Sequence, residues 1–174
     1  MNNTFPVAKG ISIWLKFGKN YELILQNLID ELALKFKSSV FTPHITLFKG
    51  LEKNELEIVS LLNTFCIDVY SFKVEIKKLT WEKNFYKSFF AEIEINNSLL
   101  SIYQRGLEIF QINSNEIFLP HVSLIYANLE EEVKEKIKEE ISEKLPRELS
   151  IDKIAVVKTQ GLPIDWREII SVIL

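Results

Sequence analysis

The chain contains two histidines, and both stand in the same setting. Phe41-Thr42-Pro43-His44-Ile45-Thr46-Leu47 and Phe118-Leu119-Pro120-His121-Val122-Ser123-Leu124 share the pattern F-x-P-H-[IV]-[ST]-L. At ordinary residue frequencies a second histidine acquires these neighbours by chance in about 1 in 10,000 cases or fewer, so the two segments are copies. Duplication accounts for the shared apolar residues without any function. It accounts less well for the only two histidines falling there. In an extended segment, residues i and i+2 share a face, so His44 lies beside Thr46 and His121 beside Ser123, while Ile45 and Leu47 turn into the core. Val122 and Leu124 do the same. The proline before each histidine favours extended backbone and removes a ladder donor, which suits an edge or the mouth of a cleft.

Two imidazoles and two hydroxyls converging on one cleft fit a phosphodiester. In-line displacement puts the attacking and leaving oxygens on opposite sides of phosphorus. A neutral imidazole can take the proton from water, and an imidazolium can give one to a departing ribose oxygen. Histidine suits both tasks because its ordinary pKa of about 6.5 makes both forms available near neutrality. The hydroxyls can donate to the non-bridging oxygens as charge builds there. This chemistry needs neither metal nor cofactor. The sequence has no H-x-H, H-x-x-x-H or cysteine pair from which a metal site could be built, and Cys66 is single.

The elements that must carry these groups follow from hydrophobic period. The β-branched and aromatic run at 11–17 predicts a strand ending at Gly18. Leu25, Leu28, Ile29, Leu32 and Phe36 recur at helical spacing across 21–36. A strand is expected at 40–48. A helix over 53–65 follows, with Leu56, Val59 or Ser60, and Leu62 or Asn63 on its apolar face. In 69–79, Phe72, Val74 and Ile76 alternate with charged residues, and 88–95 alternates again to complete a hairpin. A helix over 98–111 and a strand over 118–126 precede a helix over 129–145, where Leu129, Val133, Ile137, Ile141 and Leu145 recur behind an acidic start suited to the helix dipole. Strands at 151–159 and 166–174 flank Gly161-Leu162-Pro163. The order strand-helix-strand-helix-strand therefore runs twice, over about 10–80 and 87–160, with a C-terminal strand at 165–174. The chain reads as a single bilobal α+β domain over 1–174, its duplicated β-α-β-α-β halves related by a pseudo-two-fold axis.

Composition narrows the class of partner. The 174 residues and 20.3 kDa suit one domain with a real core, and 47% hydrophobic against 26% charged residues excludes a disordered chain. No apolar stretch is long enough to span a membrane. The opening residues MNNTFPVAKG carry neither the basic start nor the apolar run of an export leader, and one cysteine leaves no internal disulfide, so a cytoplasmic protein is expected. The 21 basic and 24 acidic residues, a net charge of -3, disfavour a partner held along many phosphates. A small-molecule ligand, no membrane and a monomer are expected.

The paired H-x-[ST] motifs resemble the two-histidine phosphoesterase superfamily. Ser12-Ile13-Trp14-Leu15, the aromatic segment from Trp81 to Phe90, Ser123-Leu124-Ile125-Tyr126, and Gly161 followed by Trp166 are similar to its cyclic phosphodiesterase-like branch, over nearly the whole chain. The resemblance implies two mainly antiparallel sheets around a central cleft, with helices outside. It also implies metal-independent opening of a ribose cyclic phosphate, ADP-ribose 1'',2''-cyclic phosphate or a nucleoside 2',3'-cyclic phosphate, to a monoester without a cofactor. The catalytic roles then fall on His44, Thr46, His121 and Ser123. Tyr126 would bind phosphate or a bridging water, and Trp14 and Tyr86 would line the base or ribose pocket. Lys49, just past the first motif, could assist an anion but reads more simply as solvated. Three alternatives stay open: an RNA-end 2',3'-cyclic phosphodiesterase, against which the charge balance speaks mildly; an idle nucleotide- or RNA-binding module, against which the intact H-x-T and H-x-S pairs speak; and a purely structural reading of the motifs as repeat packing. The near-symmetric motifs do not say which histidine is the base.

Overall fold

The structure, a computed structural model, describes residues 7–113, 115 and 117–174. The first six residues, on which the reading of the amino terminus partly rests, lie outside the described residues. In chain order the elements are β1 (Ile11–Phe17), α1 (Lys19–Phe36), β2 (Ile45–Leu51), α2 (Glu55–Phe65), β3 (Phe72–Thr80), β4 (Phe89–Ile93), α3 (Asn97–Ile109), β5 (His121–Ile125), α4 (Glu131–Ile141), β6 (Glu148–Lys158) and β7 (Arg167–Ile173). Short 3₁₀ turns at Phe85–Lys87 and Pro163–Asp165 precede β4 and β7. This is the predicted order.

Local chemistry explains the boundaries. The α2 and α3 helices open on asparagines whose side chains accept from the backbone N–H three residues on, Asn54 from Glu57 at 2.8 Å and Asn96 from Leu99 at 2.9 Å. The α1 helix buries Leu25, Leu28, Ile29 and Leu32 and closes at Lys37 in the left-handed conformation. Against expectation, the first motif strand begins at Ile45 rather than 40 and runs on to Leu51, and the second covers only His121–Ile125. Pro43 and Pro120 carry no N–H, so the chain before each histidine is extended without a regular ladder. The α4 helix also stops short, leaving Leu129 and Leu145 as half-buried flanks, and β6 starts three residues early, at Glu148.

All strand pairs are antiparallel, in the order β1-β2-β5-β4-β3-β6-β7, and β1 pairs with β6 as well. The pairing β1–β6 closes a circuit. Exchanging β1, β2, β3 for β4, β5, β6 leaves every neighbour in that circuit unchanged, as a two-fold relation between the halves requires. The two expected sheets are thus joined at both margins. At one margin the 11-residue β6 is long enough to serve both, since Ile151 lies between Phe17 of β1 and Phe72 of β3. At the other margin β2 meets β5 through one residue pair, Ile45 with Val122. Beyond that pair the motif strands part, and a cleft opens between them. Ile45 and Val122 are fully buried, in a core shared with Leu15, Phe17, Leu124, Ile154 and Val156. On the outer side, α3 approaches β2 closely because Gly106 leaves room for the Phe48 ring.

Candidate active site

The histidines immediately precede the two residues of the narrow seam. Antiparallel register about the pair Ile45–Val122 sets His44 across from Ser123 and Thr46 across from His121, and directly opposed residues share a face. All four line one cavity of about 710 Å³, together with Trp14, Tyr86 and Tyr126. Every residue singled out from the sequence is therefore brought to one place.

Each imidazole is oriented by its own chain. His44 Nδ1 donates to the Thr42 carbonyl at 2.7 Å, and His121 Nδ1 donates to the Leu119 carbonyl at 2.9 Å. A carbonyl can only accept, so Nδ1 holds the proton in the neutral ring and Nε2 is left as the base. The acceptor in each motif is the residue before the proline. Its side chain differs between the copies, threonine and leucine, and nothing in the sequence marked it because the contact is made by backbone.

The two environments differ. His44 is 7% exposed and lies face to face with Trp14, ring centroids 3.5 Å apart and planes within 5°. Burial lowers its pKa to about 3, with smaller lowering contributions from His121 and Lys16 and partial relief from the Thr42 carbonyl. His121 is half-buried, with the Phe90 ring edge-on to it at 5.0 Å and 60°. Burial lowers its pKa too; the Leu119 carbonyl and Glu82 raise it, while Lys87 and Lys49 add to the lowering.

The hydroxyls differ as well. Ser123 Oγ donates to the Tyr86 carbonyl at 3.0 Å, and the 3₁₀ turn holding that carbonyl is capped by Asn84, whose side chain accepts from the Tyr86 N–H at 3.0 Å. Tyr126 lies beside the Ser123 hydroxyl, which partly offsets the effect of burial on its own hydroxyl. Burial pushes the Tyr126 hydroxyl well above its ordinary value, and its ring stacks on Phe41 at 3.9 Å. Among the described residues the Thr46 hydroxyl has no hydrogen-bond partner. Tyr86 is half-buried, its ring edge-on to Tyr126 at 5.3 Å.

Three further residues belong to the site. Trp166, just before β7, packs edgewise on Trp14 at 5.8 Å and on His44 at 6.4 Å. Among the described residues its buried indole nitrogen has no hydrogen-bond partner. The sequence signal was the spacing from Gly161 to Trp166, which carried no role by itself. Lys87, ion-paired with Glu82 at 3.3 Å, and the exposed Lys49 line the cavity on the His121 side. These cations give a net acidic protein a local attraction for anions. Among the described residues, no group of three or more His, Cys, Asp or Glu side chains is arranged to hold a metal ion, and no helix is long and apolar enough to cross a membrane.

The profile of the cyclic phosphodiesterase-like protein family matches residues 9–174. A cyclic phosphodiesterase of Arabidopsis thaliana is 20% identical over 124 residues, which is 71% of this chain and 68% of that protein. Among solved structures, LigT of E. coli in complex with 3'-AMP has a TM-score of 0.62 at 9% identity, covering 97% of this chain and 99% of that one. A protein of Thermus thermophilus has a TM-score of 0.62 at 15% identity, covering 94% and 97%. These structural likenesses show a shared fold. With the family profile spanning nearly the whole chain and both H-x-[ST] motifs facing one cavity, the chain is a phosphoesterase of the two-histidine superfamily and belongs to the cyclic phosphodiesterase-like family.

Proposed function

We propose that the protein hydrolyses a ribose cyclic phosphate to a phosphomonoester, with His44 as general base, His121 as general acid, and Thr46 and Ser123 as donors to the phosphoryl oxygens. The observation that carries this reading is the seam at Ile45–Val122, which puts both Nε2-bearing rings and both hydroxyls on one face of one cavity. His44 Nε2 takes a proton from water as the new P–O bond forms. Protonated His121 gives its Nε2 proton to the ribose oxygen as that P–O bond breaks, and the reverse proton movement through solvent resets the pair. Burial of His44 supports its staying neutral. His121 lies nearer solvent beside Glu82, and an arriving phosphate would favour its protonated form. Thr46 is free to donate to a non-bridging oxygen. Ser123 would turn its hydrogen from the Tyr86 carbonyl to do the same.

The cavity volume supports a whole small ligand, being within the range of about 300–1,000 Å³ usual for such sites. Beyond the histidines, stacked Tyr103 and Phe118, at 4.0 Å and 9°, contribute a second aromatic wall. That second wall favours a ligand whose base lies at a distance from its cyclic phosphate, such as ADP-ribose 1'',2''-cyclic phosphate, over a nucleoside 2',3'-cyclic phosphate. The proposed protein is a cytoplasmic monomer acting on a small molecule. Lys49 and Lys87 favour one second reading, an RNA 2',3'-cyclic phosphate end.

The deciding experiment compares kcat/KM for a nucleoside 2',3'-cyclic phosphate, ADP-ribose cyclic phosphate and a cyclic-phosphate-ended ten-mer, in EDTA, at two ionic strengths. The small substrates should turn over in EDTA with weak salt dependence, because few counterions are displaced. A ten-mer preferred at low salt and not at high salt would replace the small-ligand reading with the RNA-end one. Activity lost in EDTA and restored by a divalent ion would remove the metal-independent mechanism. Binding of all three without turnover would leave a recognition module.

A further inference from the structure

We infer that Trp14 is a positioning residue for His44, clamping the imidazole and keeping water from it, and is not a wall of the substrate pocket. Trp14 is 5% exposed, and the indole face turned to the cavity is covered by the parallel His44 ring at 3.5 Å. No open face remains for a base or a ribose. Behind the indole lie Ala155 and Val157 of β6, and Ala155 is the direct cross-strand neighbour of Trp14, where a small side chain leaves room for the large ring. Trp166 closes the remaining side edge-on to both rings. His44 is thus held by three contacts: the Thr42 carbonyl at Nδ1, the Trp14 face and the Trp166 edge.

The duplication supplies an internal control. Trp14 of β1 is the cross-strand partner of Thr46, and Phe90 of β4 is the cross-strand partner of Ser123, so Trp14 and Phe90 occupy equivalent places in the two halves. Phe90 meets His121 at 5.0 Å and 60°, a tilted edge contact that leaves the imidazole faces uncovered by it. Only one half has the clamp. The charged groups acting on His44 are His121 of β5 and Lys16 of β1, the latter paired with Glu22 and Glu168; β6 and the segment entering β7 present uncharged Ala155, Val157 and Trp166 to the stack. Opening the stack would admit water on the side where no charge replaces it.

This inference rests on His44 being the base, and its test includes readouts independent of turnover. Trp14→Leu and Trp14→Phe are compared with wild type by kcat and KM on a nucleoside 2',3'-cyclic phosphate and by NMR titration of both imidazoles. Trp14→Leu should lower kcat about 10- to 100-fold with KM little changed, the scale expected for a slightly misplaced catalytic group. Its His44 titration should rise toward the ordinary histidine value, with that of His121 unmoved. Trp14→Phe, which can still stack, should retain most of the activity. A rise in KM with kcat and the His44 titration intact would make Trp14 a substrate wall and overturn the inference. Should Trp14→Leu fail to fold, the wild type still decides: through-space contacts must link the His44 ring protons to the Trp14 indole, and their absence overturns the clamp. If wild type turns over no cyclic phosphate, the proposed function fails while the ring contacts and titrations still judge the clamp.

Discussion

The two motif halves share one sequence pattern, and the folded chain treats them differently. In the first, His44 is buried under Trp14 and Thr46 has an unengaged hydroxyl. In the second, His121 is more open, beside Lys87, Lys49 and Glu82, while Ser123 is tied to the Tyr86 carbonyl. The backbone devices are retained in both: the proline, the carbonyl that orients Nδ1, and the alternation that sends Ile45 and Val122 inward. What diverged is the surface packed against each copy. A symmetric pair of imidazoles leaves the proton unassigned, whereas the proposed mechanism needs one ring neutral and the other charged. Under the proposed mechanism, unequal burial would make that division before substrate arrives.

The largest expected effect comes from removing either ring. His44→Ala and His121→Ala should each lower kcat by about 10² to 10⁴, with the circular dichroism spectrum of the fold retained. Near-wild-type turnover by either would end the two-histidine mechanism. An aryl phosphodiester sharpens the division, since its leaving group departs without a proton: His121→Ala should recover much of its activity on it and His44→Ala should not. Equal rescue would dissolve the assigned roles.

Next come the hydroxyls. Thr46→Ala should cost about 10² to 10³ in kcat, as the loss of a donor with no competing partner. Ser123→Ala should cost about tenfold less, because its hydrogen must first leave the Tyr86 carbonyl. The reverse order, measured by steady-state kinetics, would show that the second hydroxyl is the better prepared.

Free-enzyme pH dependence is a smaller effect. Reported through kcat/KM, activity rises as His44 loses its proton and falls as His121 loses its own. Both values lie below 6.5, His44 the further at about 3, so the bell should be displaced to the acid side of an ordinary histidine pair. A bell centred above neutrality would break the comparison. Smallest is a change in melting temperature. His44 binds its proton more weakly folded than unfolded, so the stability it contributes is complete above pH 6.5 and is lost as pH falls toward 3. His44→Gln should therefore lose less melting temperature than wild type over that interval, and parallel curves would refute the buried neutral imidazole.

Much of this was readable from residues alone, for a physical reason. Strand alternation and helical spacing are local, so the order of elements and the facing of His44 with Thr46, and of His121 with Ser123, follow from the chain a few residues at a time. The strand limits at Ile45 and His121 were less legible, since a proline stops the ladder while leaving the chain extended.

By itself the sequence determined the paired histidines and hydroxyls, the repetition of their motif, and the inward and outward sides of each motif strand. Tertiary structure alone decided which histidine is dry, which hydroxyl is engaged, and that Trp14 and Trp166 close over His44. Those outcomes depend on contacts between distant segments, above all the pairing of β1 with β6, which sets Trp14 against Ala155, and the single pair that joins β2 to β5. Burial is a property of what packs around a residue, and two copies of one motif acquire different proton affinities when different strands cover them.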